Sequence, residues 1–217
     1  MADKKIVILY ISCLLFLASI FIYVLYFLDG YARVHIIMEG GLVETATALG
    51  YFLSVLYIAY KGRLPFFKHY YYFYILILLF GFRELDFDKK FTKIGILKTR
   101  FFVSPDVPVM EKIFGLILIS LLIYLGYYIL KNHIKSFVQD FKKKSPVSLG
   151  ILIIAILLIF SRVVDGMSNT LKHLSFEMRS MLPTDFSALE EITELGIPIF
   201  IILTFYAYFK HYKNNLH

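Results

Sequence analysis

The chain has 217 residues, of which 59% are hydrophobic and only 18% are charged. Soluble globular domains average about 45 to 50% apolar and about 25% charged residues, so the composition excludes an ordinary soluble domain and indicates a membrane protein. The net charge of +7 does not indicate nucleic-acid binding, because the basic clusters adjoin apolar runs, where lipid headgroups account for them. The single cysteine, Cys13, excludes a disulfide framework.

Six apolar runs follow one another along the chain, and a transmembrane helix needs about 17 to 25 such residues. The first run follows the basic N-terminus, but it is longer than the roughly 7 to 15 apolar residues of a cleaved signal peptide. We therefore expect an all-α integral membrane protein that forms a single membrane domain over residues 1–217. Its six predicted spans cover approximately 6–28, 42–60, 66–82, 113–130, 147–164 and 192–209.

Two longer polar segments, 83–111 and 162–190, fall on the same side of the predicted membrane domain. In each segment the apolar residues recur in steps of three and four, as on one face of a helix. In the second segment Met167, Leu171 and Leu174 follow this spacing, and His173 lies on the polar side. The pattern predicts two amphipathic helices that lie in the membrane interface.

The orientation follows from the distribution of charge. Compact Lys and Arg clusters in short loops favour the cytoplasmic side, and the clusters before the first span and after the fourth meet this rule. With the N-terminus inside, 14 of the 16 acidic residues fall outside. We expect a multi-pass protein of the plasma membrane, a bacterial inner membrane, with cytoplasmic termini and extracytoplasmic amphipathic helices.

Three glutamates open the sixth predicted span. Ser187 and Glu190 form an S-x-x-E pattern, which predicts a capping box at the start of the helix. Glu194 lies nearly two turns further in, where burying a charge costs up to about 3 kcal/mol and the side chain needs a partner. Pro198 has no N–H, so the carbonyl of Glu194 loses its helical donor. Carboxylate and carbonyl oxygens are the ligands that hard cations favour.

A polar stripe on the second predicted span begins at Glu44. Thr47, Gly50 and Ser54 continue it in steps of three and four, and Ala46, Gly50 and Ser54 form a seam of small residues. Small residues allow a second helix to approach closely. We therefore expect the Glu44 carboxylate to face protein rather than lipid.

Glu84 and Asp165 stand at the C-terminal ends of the third and fifth spans, where the helix dipole disfavours an anion. Each has an arginine nearby, Arg83 or Arg162, which the same dipole favours. Two interpretations remain open for these residues. The charges pair locally, or they line one polar chamber in the outer half of the bundle, since ionisable residues in membranes face cavities and one another.

The candidate site combines these residues. We predict that Glu44, Glu84, Asp165, His173 and Glu194 supply oxygen and nitrogen groups that could hold a divalent metal, and that Arg83, Arg162 and Glu191 form the rim. No H-E-x-x-H or other established metal motif is present, and no nucleophile or nucleotide-binding motif occurs.

The predicted function is recognition of a cation, or of a cationic or metal-bridged solute, in an acidic pocket open to the extracytoplasmic side, with transport as one consequence. A first alternative is a metal-assisted hydrolase or transferase that acts on lipid at the outer leaflet. A second is a non-catalytic membrane partner or immunity-type subunit. The expected partners are membrane lipids, with a protein partner or a second copy of the chain in the last case, and no nucleic acid.

Overall fold

A computed structural model describes residues 4–37, 40–92, 94–96, 98–174 and 182–212. These described residues form helices and connecting turns, with no strand among them. The helices in chain order are α1 Lys4–Phe27, α2 Gly30–Ile37, α3 Leu42–Glu84, α4 Phe87–Phe91, α5 Thr99–Val103, α6 Val109–Lys142, α7 Pro146–Leu174 and α8 Leu182–Tyr212.

Five of these helices are long and apolar enough to cross a membrane, namely α1, α3, α6, α7 and α8. The prediction of an all-helical chain is confirmed for the described residues, and the five long apolar helices are compatible with a multi-pass membrane protein. Apart from residue 28, the predicted apolar runs fall within these helices, and both the second and the third run lie in α3.

Helix α3 is interrupted between these two runs. Arg63 has backbone angles of φ 56° and ψ −173°, and Tyr70 has φ −120° and ψ 26°, neither of which is helical. The rings of Tyr51 and Phe80 stack with centroids 5.9 Å apart. A straight helix could not bring these two residues together, so the chain turns back between a first arm, residues 42–62, and a second arm, residues 64–84.

Helix α8 lies at the centre of the protein. Of the five long helices it is the most buried, and it packs against α7, α3 and α1. Its Gly196 is approached so closely by Leu17 of α1 and Leu157 of α7 that an added Cβ would lie 3.0 Å and 3.2 Å from their methyl groups. Helix α6, by contrast, is the least buried of the five and lies at the periphery.

The segment between α3 and α6 differs from the predicted single amphipathic helix. It contains two short helices, α4 and α5, separated by residues without helical structure around Gly95. Phe101 of α5 is completely buried, and it packs with Ile96 and Val107. An added Cβ at Gly115 of α6 would lie 2.6 Å from the Phe101 ring, so this segment packs on α6.

The second predicted amphipathic helix is only partly covered by the structure. Helix α7 continues without a break through Gly166 to Leu174. Met167 and Leu171 therefore belong to an extension of the fifth span rather than to a separate helix. Residues 175–181 lie outside the described residues, so the rest of this prediction is untested.

Candidate functional site

Glu194, one of the acidic residues predicted to form the site, contacts side chains of two other helical segments. Its Oε1 atom accepts a hydrogen bond from the Ser161 hydroxyl at 2.7 Å and one from Nη2 of Arg83 at 3.3 Å. The Glu194 side chain is only 9% exposed. Three helical segments thus meet at one carboxylate: the second arm of α3, α7 and α8.

The same arginine also faces Glu84. Nη1 of Arg83 lies 3.9 Å from Oε1 of Glu84, whose side chain is only 5% exposed. One guanidinium group therefore contacts two buried carboxyl groups, which are also hydrogen-bonded to each other. We call Arg83, Glu84, Ser161 and Glu194 the charge centre. It is a packed contact, and Arg83, whose side chain is 31% exposed, is its most accessible member.

Further acidic residues surround the charge centre. Glu191 interacts electrostatically with Glu44, Glu84 and Glu194. Glu84 likewise interacts with Glu44. The completely buried Tyr51 lies within electrostatic reach of Glu84 and Glu194. The structure thus brings four of the predicted site residues, Glu44, Glu84, Glu191 and Glu194, to one end of the bundle, which we call the acidic end.

The packing of α3 on α8 positions the charge centre. An added Cβ at Gly50 would lie 2.9 Å from Cγ of Pro198, so only glycine allows this approach. Ser54 is buried beside it, and its hydroxyl donates to the carbonyl of Gly50 at 2.7 Å and to that of Pro198 at 3.2 Å. Thr47 is also completely buried. The stripe of polar and small residues therefore faces α8, as its spacing predicts.

Glu44 lies at the acidic end and also contacts the backbone at the start of α3. Its Oε2 atom accepts a hydrogen bond of 2.5 Å from the backbone N–H of Gly40, which precedes α3. The contact resembles the glutamate half of a capping box, and it stabilises the start of the helix. Glu44 is half-buried rather than enclosed.

Arg162 and Asp165 form a separate pair on α7. Nη1 of Arg162 lies 3.8 Å from Oδ2 of Asp165, and the two side chains are 51% and 37% exposed. Among the charge pairs the structure describes, this one follows the local pairing expected from sequence. Arg162 still lies within electrostatic reach of Tyr51, so the pair borders the charge centre without belonging to its buried part.

The predicted capping box at Ser187 and Glu190 is wrong. Helix α8 begins at Leu182, which places both residues inside the helix. An N-cap residue has extended backbone angles, whereas a residue inside a helix has helical ones. Ser187 therefore cannot act as the N-cap. The earlier start also moves Glu194 to more than three turns from the helix beginning, where no dipole stabilises its charge.

The predicted metal ligands are not gathered into one coordination sphere in the part of the chain that the structure describes. No group of three or more His, Cys, Asp and Glu side chains there is arranged to hold a metal ion. Asp165 is paired with Arg162 instead. His173 lies on α7, but its side chain is outside the described residues, so its predicted role is untested.

Two members of this region were missed by the sequence prediction. Ser161 is only 2% exposed. It directly precedes Arg162 at the end of an apolar run, and a single hydroxyl at that position is the signal that could have identified it. Tyr51 lies seven residues after Glu44, so the stepping 44, 47, 51, 54 would have included it. A further pair, Arg33 of α2 with Asp185 of α8 at 3.2 Å, joins residues too distant in sequence to be matched.

Comparison of the chain with protein-family models, with curated proteins and with solved structures finds no match.

Proposed function

We propose that this chain is a six-span membrane protein that binds a cation or a cationic solute at its acidic end. The six-span count rests on α3, whose two arms contact each other through Tyr51 and Phe80 and are each about as long as one crossing. In this arrangement both termini are cytoplasmic and the acidic end is extracytoplasmic, on the distribution of lysine and arginine. The described residues between α3 and α6 then lie at the extracytoplasmic membrane interface.

One observation carries the proposal: four glutamates lie together at the acidic end, and two of them contact a single half-buried arginine. Glu84 and Glu194 both contact Arg83. Glu191 interacts with both of these carboxylates, and Glu44 interacts with Glu84 and Glu191. Arg162 is the second basic residue that interacts with Tyr51, and it contacts Asp165. Among the residues that the structure describes at the acidic end, carboxylates thus outnumber the guanidinium groups that contact them.

An excess of carboxylates at membrane depth requires compensation, because an uncompensated charge there is costly. A proton or a bound cation supplies it. Arg83 is the most exposed member of the charge centre, so a cation arriving from the extracytoplasmic side meets the carboxylates beside Arg83. Oε1 of Glu194 already accepts two hydrogen bonds, and the Glu84 and Glu194 side chains are hydrogen-bonded to each other. We therefore assign ligand contact to the Glu191 carboxylate and to the remaining oxygens of Glu84 and Glu194.

The proposed ligand is held by charge rather than by a preformed chelating set. This favours a monovalent or organic cation over a tightly bound divalent metal. Two alternatives remain: a metal-assisted hydrolase or transferase that acts on lipid, and a non-catalytic membrane partner. The binding experiment distinguishes both from the proposed cation site. Transport is one use of the site, and it requires binding first.

The test is the thermal unfolding temperature of the full chain in detergent, measured at constant ionic strength. Sodium, potassium, tetraethylammonium and magnesium chlorides are each compared with the chloride of the bulky cation N-methylglucamine. A specific ligand stabilises the folded state by about 2.7 kcal/mol at a hundredfold excess over its Kd. We expect at least one of these cations to raise the unfolding temperature.

The Glu194→Gln variant should lose this stabilisation, whereas Glu111→Gln, at the start of α6 on the same side, should retain it. Equal stabilisation of both variants would contradict the proposed site. A response to magnesium alone that depends on Asp165 would favour the metal-dependent enzyme. The absence of any response to all four cations would leave the non-catalytic partner as the better account.

A further inference from the structure

The last part of α6 extends beyond the predicted hydrocarbon span. The helix has 34 residues, and at 1.5 Å per residue it is about 51 Å long. A bilayer including its headgroups measures only about 40 to 45 Å. The apolar run ends at Leu130, so the helix from Lys131 onward lies in or beyond the headgroup layer. We call residues 131–144 the basic segment.

One face of the basic segment is apolar and exposed. Ile134, Val138 and Phe141 follow one another in steps of four and three, which places them on one side of the helix. They are 45%, 44% and 48% exposed. A different face of the helix contacts the protein, because His133 forms a hydrogen bond of 2.5 Å with the Tyr72 hydroxyl on the second arm of α3. The apolar stripe therefore does not pack on α3.

The charge of the basic segment is strongly positive, with five lysines and a single acid, Asp140. At about 100° per residue, three of the lysines border one edge of the apolar stripe. Beside this edge a shallow groove of about 300 Å³ is lined by Ile134, Lys135, Val138 and Gln139. An ammonium group thus stands directly beside an apolar surface. The three bordering lysines are Lys131, Lys135 and Lys142.

The basic segment ends in a turn that leads directly into the apolar run of α7. Lys144 adopts a left-handed conformation with φ 53°, its N–H donates to the Phe141 carbonyl, and the Ser145 N–H donates to the Asp140 carbonyl. This Schellman turn reverses the chain, and α7 begins two residues later at Pro146. The Pro146 carbonyl accepts a hydrogen bond from the buried Tyr10 hydroxyl. Because the apolar run of α7 starts at Val147, the segment returns to the bilayer surface.

We propose that the basic segment binds the anionic phospholipid headgroups of the leaflet at this end of the bundle. Ile134, Val138 and Phe141 face the boundary between the headgroups and the acyl chains, and the bordering lysines contact the headgroup phosphates. A helix with an apolar face, flanking lysines and a position at the interface is attracted by both the hydrocarbon and the negative surface. This inference does not depend on cation binding at the acidic end.

The chain contains no tryptophan, so one introduced indole is a selective fluorescent probe. We would place it at Val138→Trp on the apolar stripe and, as a matched control, at Ser136→Trp, an exposed position on the opposite side of the helix. The full chain is reconstituted in vesicles of phosphatidylcholine and phosphatidylglycerol, with bromine quenchers on the acyl chains of one lipid or the other. We expect brominated phosphatidylglycerol to quench Val138→Trp roughly twofold more strongly than brominated phosphatidylcholine, because the lysines enrich it locally.

Replacing Lys131, Lys135 and Lys142 by Gln in the Val138→Trp chain should abolish this preference. Replacing Lys90, Lys98 and Lys112, near the acidic end, removes the same charge and should leave the preference intact. Equal quenching by the two lipids in the parent Val138→Trp protein would overturn the proposal. So would quenching of Ser136→Trp alone, or shielding of Val138→Trp from both lipids, which would indicate that a protein covers the stripe.

Discussion

Two arginine–acid pairs that look alike in the sequence have different surroundings in the structure. Arg83 with Glu84 closes α3, and Arg162 with Asp165 lies near the end of an apolar run in α7. Arg83 contacts a second, distant acid, Glu194, and both of its acidic partners are buried. Arg162 contacts only Asp165 among the ion pairs the structure describes, and both side chains are substantially exposed.

The difference comes from a third helix. Helix α8 brings Glu194 against Arg83, and α8 and α3 pack closely at Gly50 and Pro198. Removing one partner of a buried pair leaves an uncompensated charge, which costs several kcal/mol. An exposed pair contributes about 0 to 1 kcal/mol. Burial by a neighbouring helix, rather than the local sequence, therefore decides which pair matters for stability.

The largest expected effect is the loss of Arg83. Arg83→Met should lower the free energy of unfolding by about 3 kcal/mol, because Glu84 and Glu194 would lose their common cation. This value is at the lower end for a buried pair, since 31% of the Arg83 side chain is exposed. The measurement is unfolding in mixed micelles. Arg162→Met is the matched control and should cost less than about 0.5 kcal/mol; similar losses in both variants would remove the contrast.

A smaller effect is expected from Gly50→Ala. The new methyl group would lie 2.9 Å from Cγ of Pro198, and overpacking of this kind costs about 1 to 3 kcal/mol. The same unfolding assay applies. Gly126→Ala on α6 is the control, because nothing lies within 4 Å of its added Cβ. If Gly50→Ala is as stable as Gly126→Ala, α3 and α8 do not pack as closely as described.

The Ser161→Ala variant should have the smallest effect within the charge centre. It removes the 2.7 Å hydrogen bond to Glu194, and hydrogen bonds between membrane helices contribute about 1 kcal/mol. Ser120→Ala, at an exposed position of α6, should be neutral within about 0.5 kcal/mol. A loss for Ser161→Ala no greater than for Ser120→Ala would show that this hydroxyl does not stabilise the carboxylate.

Much of the fold could be predicted from apolar run lengths alone, because a bilayer fixes the length of a crossing helix. The packing of Gly50 and Ser54 was also predictable, since small residues at helical spacing indicate a helix contact. The turn-back within α3 was implied by the polar residues between the second and third runs. The extension of α7 through Gly166 was not, because a glycine permits either a break or continuation.

The partners within the charge centre could not be predicted in the same way. Arg83 and Glu194 are 111 residues apart, and periodicity shows which face of a helix is polar without showing which helix it meets. Glu84 and Asp165 therefore had equivalent interpretations in the sequence. The start of α8 was misplaced because S-x-x-E is a short pattern that also occurs inside helices, as Ser187 and Glu190 do here.

The most direct test of the central contrast is a pair of double-mutant cycles, one for Arg83→Met with Glu194→Gln and one for Arg162→Met with Asp165→Asn. Unfolding of each single and double variant is measured in the same mixed micelles. We predict a coupling energy of about 2 kcal/mol for Arg83 with Glu194 and less than about 0.5 kcal/mol for Arg162 with Asp165. Equal coupling in the two cycles, or none between Arg83 and Glu194, would contradict a buried charge centre formed by α3, α7 and α8.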